Sequence, residues 1–194
     1  MSVGAVVAAA GLSRRMGREK ILLPLGSTTV LERVLASLAA VGVAEIAVVV
    51  RPNAAAARGI SERAGARVFE NPRPEDDLLS SIRLGLDALD PALEAVFVWP
   101  ADHPLVRTQT LETLLREASR DRAVLPTWNG RRGHPALVGA ALRRDIATRP
   151  LPGGLRDLWR ERAEAVVEAP VEDEGILLDL DTPEDYRRAL SLDR

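Results

Sequence analysis

The chain has no cysteine, a single lysine, two histidines and one tyrosine among its 194 residues. Without cysteine there is no disulfide, no thiolate metal site and no cysteine nucleophile, and a reducing compartment is compatible with the composition. Two histidines are too few for a histidine-rich zinc site. The sequence also lacks an excess of either charge: 26 basic and 28 acidic residues leave a formal net charge of −2. Nucleic acid and membrane surfaces select basic faces, so neither is expected as a partner. No apolar run is long enough to cross a bilayer. The apolar stretch at residues 3–10 is followed, not preceded, by Arg14, Arg15 and Arg18, the reverse of a secretory signal. It reads as a first strand, with a cytoplasmic location as the expectation. Composition is even throughout, which predicts one domain over residues 1–194.

What is present is an alternation of short apolar runs with segments of helical period. Residues 3–9, 46–50, 67–70, 95–99 and 123–126 read as buried strands. Residues 30–41, 54–64, 78–89 and 110–119 carry apolar side chains at three- and four-residue spacing and read as helices between them. This predicts an α/β fold, a three-layer Rossmann-like sandwich around a mostly parallel sheet. After Trp128 the rhythm changes. Asn129-Gly130 is a turn dipeptide, so residues 123–128 and 134–138 are expected to pair antiparallel. A helix at 155–162, a strand at 165–169, an extended run at 176–180 and a helix from Pro183 complete the chain.

Open α/β sheets bind ligands beyond the carboxyl ends of their strands. That rule selects residues 9–20, 71–81, 100–104 and 128–134. The first loop reads A-A-G-L-S-R-R-M-G-R-E-K and ends on Lys20, in a chain that elsewhere uses 25 arginines. Arginine is a planar fork, whereas lysine is a point charge on a flexible stem that can follow a phosphate. Gly11 and Gly17 allow close backbone approach, and Arg14, Arg15 and Arg18 add charge. Neither the Walker A pattern nor G-x-G-x-x-G is present. In P-A-D-H-P, Asp102 lies just past a buried strand, where it can hold a hard cation such as magnesium or cap the next helix.

In D-L-D-T-P-E-D, Thr182, Pro183 and Glu184 form a helix start. Asp179 and Asp181 precede it in an expected strand, on one side at period two, so at least one should face the cleft. Arg131 and Arg132 stand between glycines, where they can grip an anion or form a solvated hairpin tip. His134 follows them, a structural histidine or a site residue.

Together, the first loop with L-L-P-L-G after it, then P-A-D-H-P-L-V, G-R-R-G-H-P-A-L and D-L-D-T-P-E-D, resemble the MobA-like nucleotidyltransferases. Within them the likeness is to the molybdenum cofactor cytidylyltransferase branch. It runs from residue 5 to about 190, in the family's order. The resemblance implies that Ala9, Ala10, Gly11, Leu12, Ser13 and Arg14 wrap the nucleotide. Lys20 would neutralise its triphosphate, with Arg14 or Arg15 stabilising the leaving pyrophosphate. Asp102 would bind magnesium, and Asp179 or Asp181 would complete the metal site. Ser80, Ser81, Gly85 and Leu86 match the family's S-S-x-x-x-G-L pattern near the nucleotide, and Arg131, Arg132 and His134 would meet the acceptor.

The A-A-G form resembles cytidylyltransferases, whereas guanylyl-transferring relatives carry L-A-G-G. Glu19 departs from the pattern, which has a neutral residue or proline there, and Leu79 stands where a further serine is usual. The implied reaction is magnesium-dependent nucleotidyl transfer from an NTP, CTP in this branch, to a phosphorylated acceptor of the molybdopterin type. A sugar phosphate acceptor, or a nucleotide-binding regulator without turnover, are the competing readings.

Overall fold

Val3–Ala9 (β1) is buried along its whole length and lies in the interior of a mixed sheet. The computed structural model of the protein describes residues 1–13, 15–75 and 77–193. After β1, a small hairpin of Pro24–Leu25 (β2) and Thr28–Thr29 (β3) leads into Val30–Ala40 (α1). Then come Glu45–Val50 (β4), Ala55–Arg63 (α2), Arg67–Glu70 (β5), Leu78–Ala88 (α3), Ala95–Pro100 (β6) and Thr108–Arg116 (α4). Ala123–Trp128 (β7), Arg131–Arg132 (β8) and Ala136–Gly139 (β9) follow, then Ala140–Thr148 (α5), Leu155–Glu161 (α6), Val166–Pro170 (β10) and Pro183–Leu192 (α7).

The strand order is β10-β7-β9-β6-β1-β4-β5, with β8 paired to β7. β6, β1, β4 and β5 run parallel, as does β10 beside β7. β9 is inserted antiparallel between β6 and β7, so the predicted excursion from the parallel pattern occurs where Asn129-Gly130 turns the chain. Asn129 and Gly130 both have positive φ, the conformation that this turn demands.

Period-two alternation sorts the strands' side chains between two faces. Ala5, Val7, Val48, Phe97 and Trp99 pack on one side with Leu31, Leu35 and Leu38 of α1 and Leu111 and Leu114 of α4. Val6, Val49, Val96 and Val98 pack on the other with Ile82 and Leu86 of α3, Leu142 and Ile146 of α5, and Leu158 of α6. The result is the expected three-layer sandwich. Gly85 permits it locally: a Cβ there would run into Val6 on β1 and Val49 on β4, so its place in the serine-glycine pattern is one of helix-to-sheet packing. α3 is thereby drawn close to β1, with its first turn near the carboxyl end of that strand. A third apolar cluster joins Met16, Leu23, Leu25, Val30, Leu178, Leu180 and Ala189. It clamps the first loop, the small hairpin and α7 together.

One expectation fails. Residues 176–180 form no strand; Glu174–Leu177 is a 3-10 turn, and residues 178–181 run without a ladder partner. The physical reason is that the backbone's hydrogen bonds go elsewhere. Ile176 O accepts from His134 N at 2.9 Å, and Leu180 N donates to Asp102 O at 3.0 Å. Alternation nonetheless survives, with Leu178 and Leu180 buried and Asp179 and Asp181 partly exposed. Among the described residues no helix is long and apolar enough to cross a membrane.

Candidate active site

The first loop is closed at both ends by short-range bonds. Ser13, at φ 48°, accepts a hydrogen bond from Lys20 N on its Oγ at 3.1 Å, and Met16 N donates to Ser13 O at 3.0 Å. Gly17 also has positive φ. Buried Met16 anchors the loop in the third apolar cluster, against Leu178 and Leu180. The same contact brings residue 181 beside residues 15 and 20.

Lys20 Nζ donates to Asp102 Oδ2 at 2.6 Å and to Asp181 Oδ1 at 2.9 Å. Arg15 Nη2 reaches Asp181 Oδ2 at 2.6 Å from an otherwise exposed side chain. Burial opposes the charged ammonium of Lys20, but the Asp102 and Asp181 carboxylates outweigh it and hold its pKa above the ordinary lysine value. Burial likewise disfavours the Asp102 carboxylate. His103, whose Nδ1 lies 2.9 Å from Asp102 Oδ1, and Lys20 reverse this and hold the carboxyl well below the usual range.

The Asp102 turn is fixed by backbone. Ala101 N donates to Ala8 O, His103 N to Pro100 O, and Trp99 Nε1 to His103 O at 3.2 Å. Asp102 is not the cap of α4. Arg107 is the N-cap residue and no described side chain caps the helix; buried Asp173 tethers this end instead, its Oδ2 accepting from Arg107 N at 2.8 Å and from Thr110 Oγ1 at 2.6 Å. Asp102 is left free to face the cleft.

Around this centre the cleft has two connected parts. The first is a cavity of about 220 Å³ bordered by Ala8 to Gly11, Lys20, Ser81 and Asp102. The second, of about 740 Å³, lies towards β8, β9 and α6; Asp77, Leu78 and Pro100 border both. Arg132 and His134 line the larger one. His134 meets His103 edge to face, with ring centroids 4.8 Å apart. Burial, with His103 next, pushes the His134 pKa down to about 4, so its ring is neutral near pH 7.

These are the features of a nucleotide-transfer cleft: a glycine-containing loop, one lysine, and two carboxylates on a single cationic point. Residues 5–166 match the family model of the MobA-like NTP transferase domain. The chain belongs to this family. A molybdenum cofactor cytidylyltransferase of Escherichia coli is 28% identical over 187 residues, 95% of this chain and 94% of that one. A probable molybdenum cofactor guanylyltransferase of Methanosarcina acetivorans is 34% identical over 142 residues, 70% of this chain and 62% of its own. Among solved structures, a nucleotidyl transferase from Methanothermobacter superposes with a TM-score of 0.86 at 25% identity, covering 99% of this chain and 97% of that one. A Mycobacterium tuberculosis protein solved in complex with manganese gives 0.81 at 26%, covering 98% and 99%.

Within this MobA-like chain, the fold brings Lys20, Arg15, Asp102 and Asp181 together and leaves Asp179 out. Asp179 forms no hydrogen bond or ion pair with any described residue, whereas Asp181 forms two. Ala9, Ala10, Gly11 and Ser81 border the smaller cavity, and Leu12 and Ser13 line a neighbouring hollow with Gly11, Arg15, Lys20 and Asp181 as well as the outer side of the loop with Arg18 and Glu19. Arg14 lies outside the described residues. Ser80 does not border the cavity; its hydroxyl donates to Asp77 O at 2.7 Å. Arg131 is exposed and does not line the larger cavity, since its neighbour on β8, Arg132, takes that side.

Three residues of the site region left too little signal in the sequence to be singled out. His103 braces Asp102 through its ring, although as a sequence neighbour in P-A-D-H-P it carries no sign of that contact. Buried Asn71 donates through Nδ2 to Ser80 Oγ at 3.0 Å and to Ser81 Oγ at 2.9 Å. Its only signal is its place just past a strand. Asp173, which tethers the start of α4, lies 66 residues from Arg107 and leaves no local sign.

Proposed function

We propose that the protein transfers a cytidylyl group from CTP to the phosphate of a molybdopterin-type acceptor, with magnesium bound, and releases pyrophosphate. The observation that carries this reading is the lone lysine held between Asp102 and Asp181 at the edge of the loop-bordered cavity. The Escherichia coli relative, matched over nearly all of both chains, supports the base and the acceptor. The A-A-G form of the first loop supports cytidylyl over guanylyl transfer.

Asp102 and Asp181 would hold the metal. Oxygens of both carboxylates converge on one cationic point, now the Lys20 ammonium. Magnesium takes few protein carboxylates and leaves the rest of its shell to water and phosphate, which suits a pair with no third acidic or histidine ligand among the described residues. Manganese in a structural neighbour supports a divalent ion here. When bound, the ion supplies neutralisation of charge around the reacting phosphates.

The chain's own residues do the positioning. Lys20 and Arg15 face the triphosphate and stabilise charge on the departing pyrophosphate. Backbone groups of Ala10 and Gly11 border the cavity and present a polar edge to the base. An acceptor phosphate oxygen attacks the α-phosphorus, the bond to the bridging oxygen breaks, and pyrophosphate leaves with the electron pair. In-line placement suffices, so no covalent enzyme intermediate is needed. Pyrophosphate release measured side by side with CTP and GTP, with molybdenum cofactor as acceptor, tests the reading. A preference for CTP is expected; a preference for GTP moves the chain to guanylyl transfer, and release with neither overturns the proposal.

A further inference from the structure

Asn71 follows β5 directly and is held there by its backbone, whose N–H donates to Val50 O at 2.8 Å. Its side chain is buried and lines neither part of the cleft. Whatever it does to a bound molecule, it does through its neighbours.

The orientation of its amide is decided by what it meets. Arg73 N, a donor, lies 2.9 Å from Asn71 Oδ1, so the carbonyl oxygen faces Arg73 and the amino group faces the other way. The amino group has two hydrogens and meets two oxygens, Ser80 Oγ at 3.0 Å and Ser81 Oγ at 2.9 Å. Every polar atom of the side chain is therefore in use.

Each serine oxygen thus accepts one hydrogen bond and has one proton left to give. Ser80 gives its proton to Asp77 O at 2.7 Å. Ser81 Oγ donates to no described residue, although Ser81 is buried and borders the smaller cavity with Ala9, Ala10 and Gly11. A buried hydroxyl proton left without a partner costs free energy. A molecule in the cavity can supply that partner.

We propose that Asn71 is a positioning residue that fixes the polarity of Ser81. Because Asn71 donates to its oxygen, Ser81 presents a proton rather than a lone pair to the nucleotide in the smaller cavity. What it selects there is a hydrogen-bond acceptor atom of the nucleotide. This role rests on the nucleotidyl-transfer reading only in that a nucleotide occupies the cavity; neither the base nor the acceptor molecule enters it.

Two substitutions separate polarity from packing. Asn71→Asp keeps the shape and can still accept from Arg73 N, but it offers the serines an oxygen in place of an N–H. Ser81 then turns its proton inwards, away from the cavity. Asn71→Ala removes the constraint and leaves the Ser81 hydroxyl free to turn either way.

Calorimetric titration of the full chain with CTP and with GTP, in magnesium and without molybdenum cofactor, tests the role with whichever nucleotide binds more tightly. Asn71→Asp is expected to weaken that nucleotide about tenfold or more, Ser81→Ala about tenfold, and Asn71→Ala about threefold. In the Ser81→Ala background, Asn71→Asp should cost no more than about threefold further, and Asn71→Ala nothing further. A merely structural Asn71 behaves differently: truncation to Ala is then the worse variant, and the losses are as large without the Ser81 hydroxyl. Either result, or binding of neither nucleotide by the parent, overturns the assignment. Circular dichroism is the folding control. Should Asn71→Asp not fold, the Asn71→Ala and Ser81→Ala pair decides alone, and additive losses overturn the role. Pyrophosphate release, measured alongside, keeps the two readings apart. Coupled losses of binding without any nucleotidyl transfer sink the activity and leave Asn71 in its role. Transfer with additive losses does the opposite.

Discussion

Lys20 Nζ lies 2.6 Å from Asp102 Oδ2, joining the end of the first loop to the end of β6 across 82 residues of sequence. Neither group has a structural substitute at that point. The ammonium is mostly buried, and its carboxylate partners keep it charged at any pH of interest. Lys20→Ala should therefore lower turnover by about 100-fold or more, the usual effect of losing one strong electrostatic stabiliser of a transition state. Lys20→Arg should also be impaired, since a planar fork does not replace a point charge between two carboxylates. Steady-state kinetics with circular dichroism as the folding control checks both; parental turnover by Lys20→Arg would remove the special status of this side chain.

The three candidate metal ligands should separate cleanly. Asp102→Asn and Asp181→Asn each remove a charge from the shared cationic point, and each should raise the magnesium needed for half-maximal activity by about tenfold or more. Asp179→Asn should stay within about twofold of the parent, since Asp179 bonds none of the described cations of the site. Magnesium titrations of the three variants decide it. Parental behaviour by Asp102→Asn would leave the cleft without its centre.

How much of this was legible in the sequence depended on the range of the interaction involved. The alternation of strands and helices, the antiparallel turn at Asn129-Gly130 and the loops at the sheet's carboxyl edge are local signals, and the structure carries them. The choice between Asp179 and Asp181 was not local. Period two put them on one side of an expected strand, but the segment is tied instead through Leu180 N to Asp102 O, and only Asp181 reaches Lys20 and Arg15. The same holds for what secures the start of α4. Asp102 is the nearest acid before that helix, yet it is Asp173, far along the chain, that bonds Arg107 N and Thr110 Oγ1 at its start. Trp159 and Arg156 carry no motif at all, because their place in the cavity wall depends on α6 closing a cavity formed by other elements.

Glu19 looked like a misfit beside the lysine, and the structure supplies its partner. Arg51, just past β4, donates through Nη2 to Glu19 Oε2 at 2.8 Å, while Glu19 Oε1 is buried without a partner among the described residues. The pair ties the outer side of the first loop to the sheet. Arg51→Ala leaves a buried, unpaired carboxylate and should weaken nucleotide binding about tenfold, with a smaller effect on kcat. Adding Glu19→Gln removes the stranded charge and should recover much of the loss, giving a coupling of about 1 kcal/mol in a double-mutant cycle on KM. Additive effects would show that the two residues act separately.

His134 sets an acid limit on stability, and the sign can be worked out. Burial, with His103 and Arg156 in the same direction and Asp102 against it, pushes its folded pKa down to about 4. The ordinary imidazole value, about 6.5, applies to the unfolded chain. Between those values the unfolded state binds a proton that the folded state refuses, so stability falls as pH drops from about 6.5 towards 4. From pH 7.5 to 4.5 this one group should cost about 2 kcal/mol. Other titrating groups contribute equally to the parent and to His134→Gln, whose side chain does not titrate. Urea unfolding at the two pH values should therefore show a loss smaller by about 2 kcal/mol in the variant. Equal losses would mean that the imidazole takes up its proton in the folded protein as readily as in water, and that the wall it forms between His103 and the larger cavity is wet.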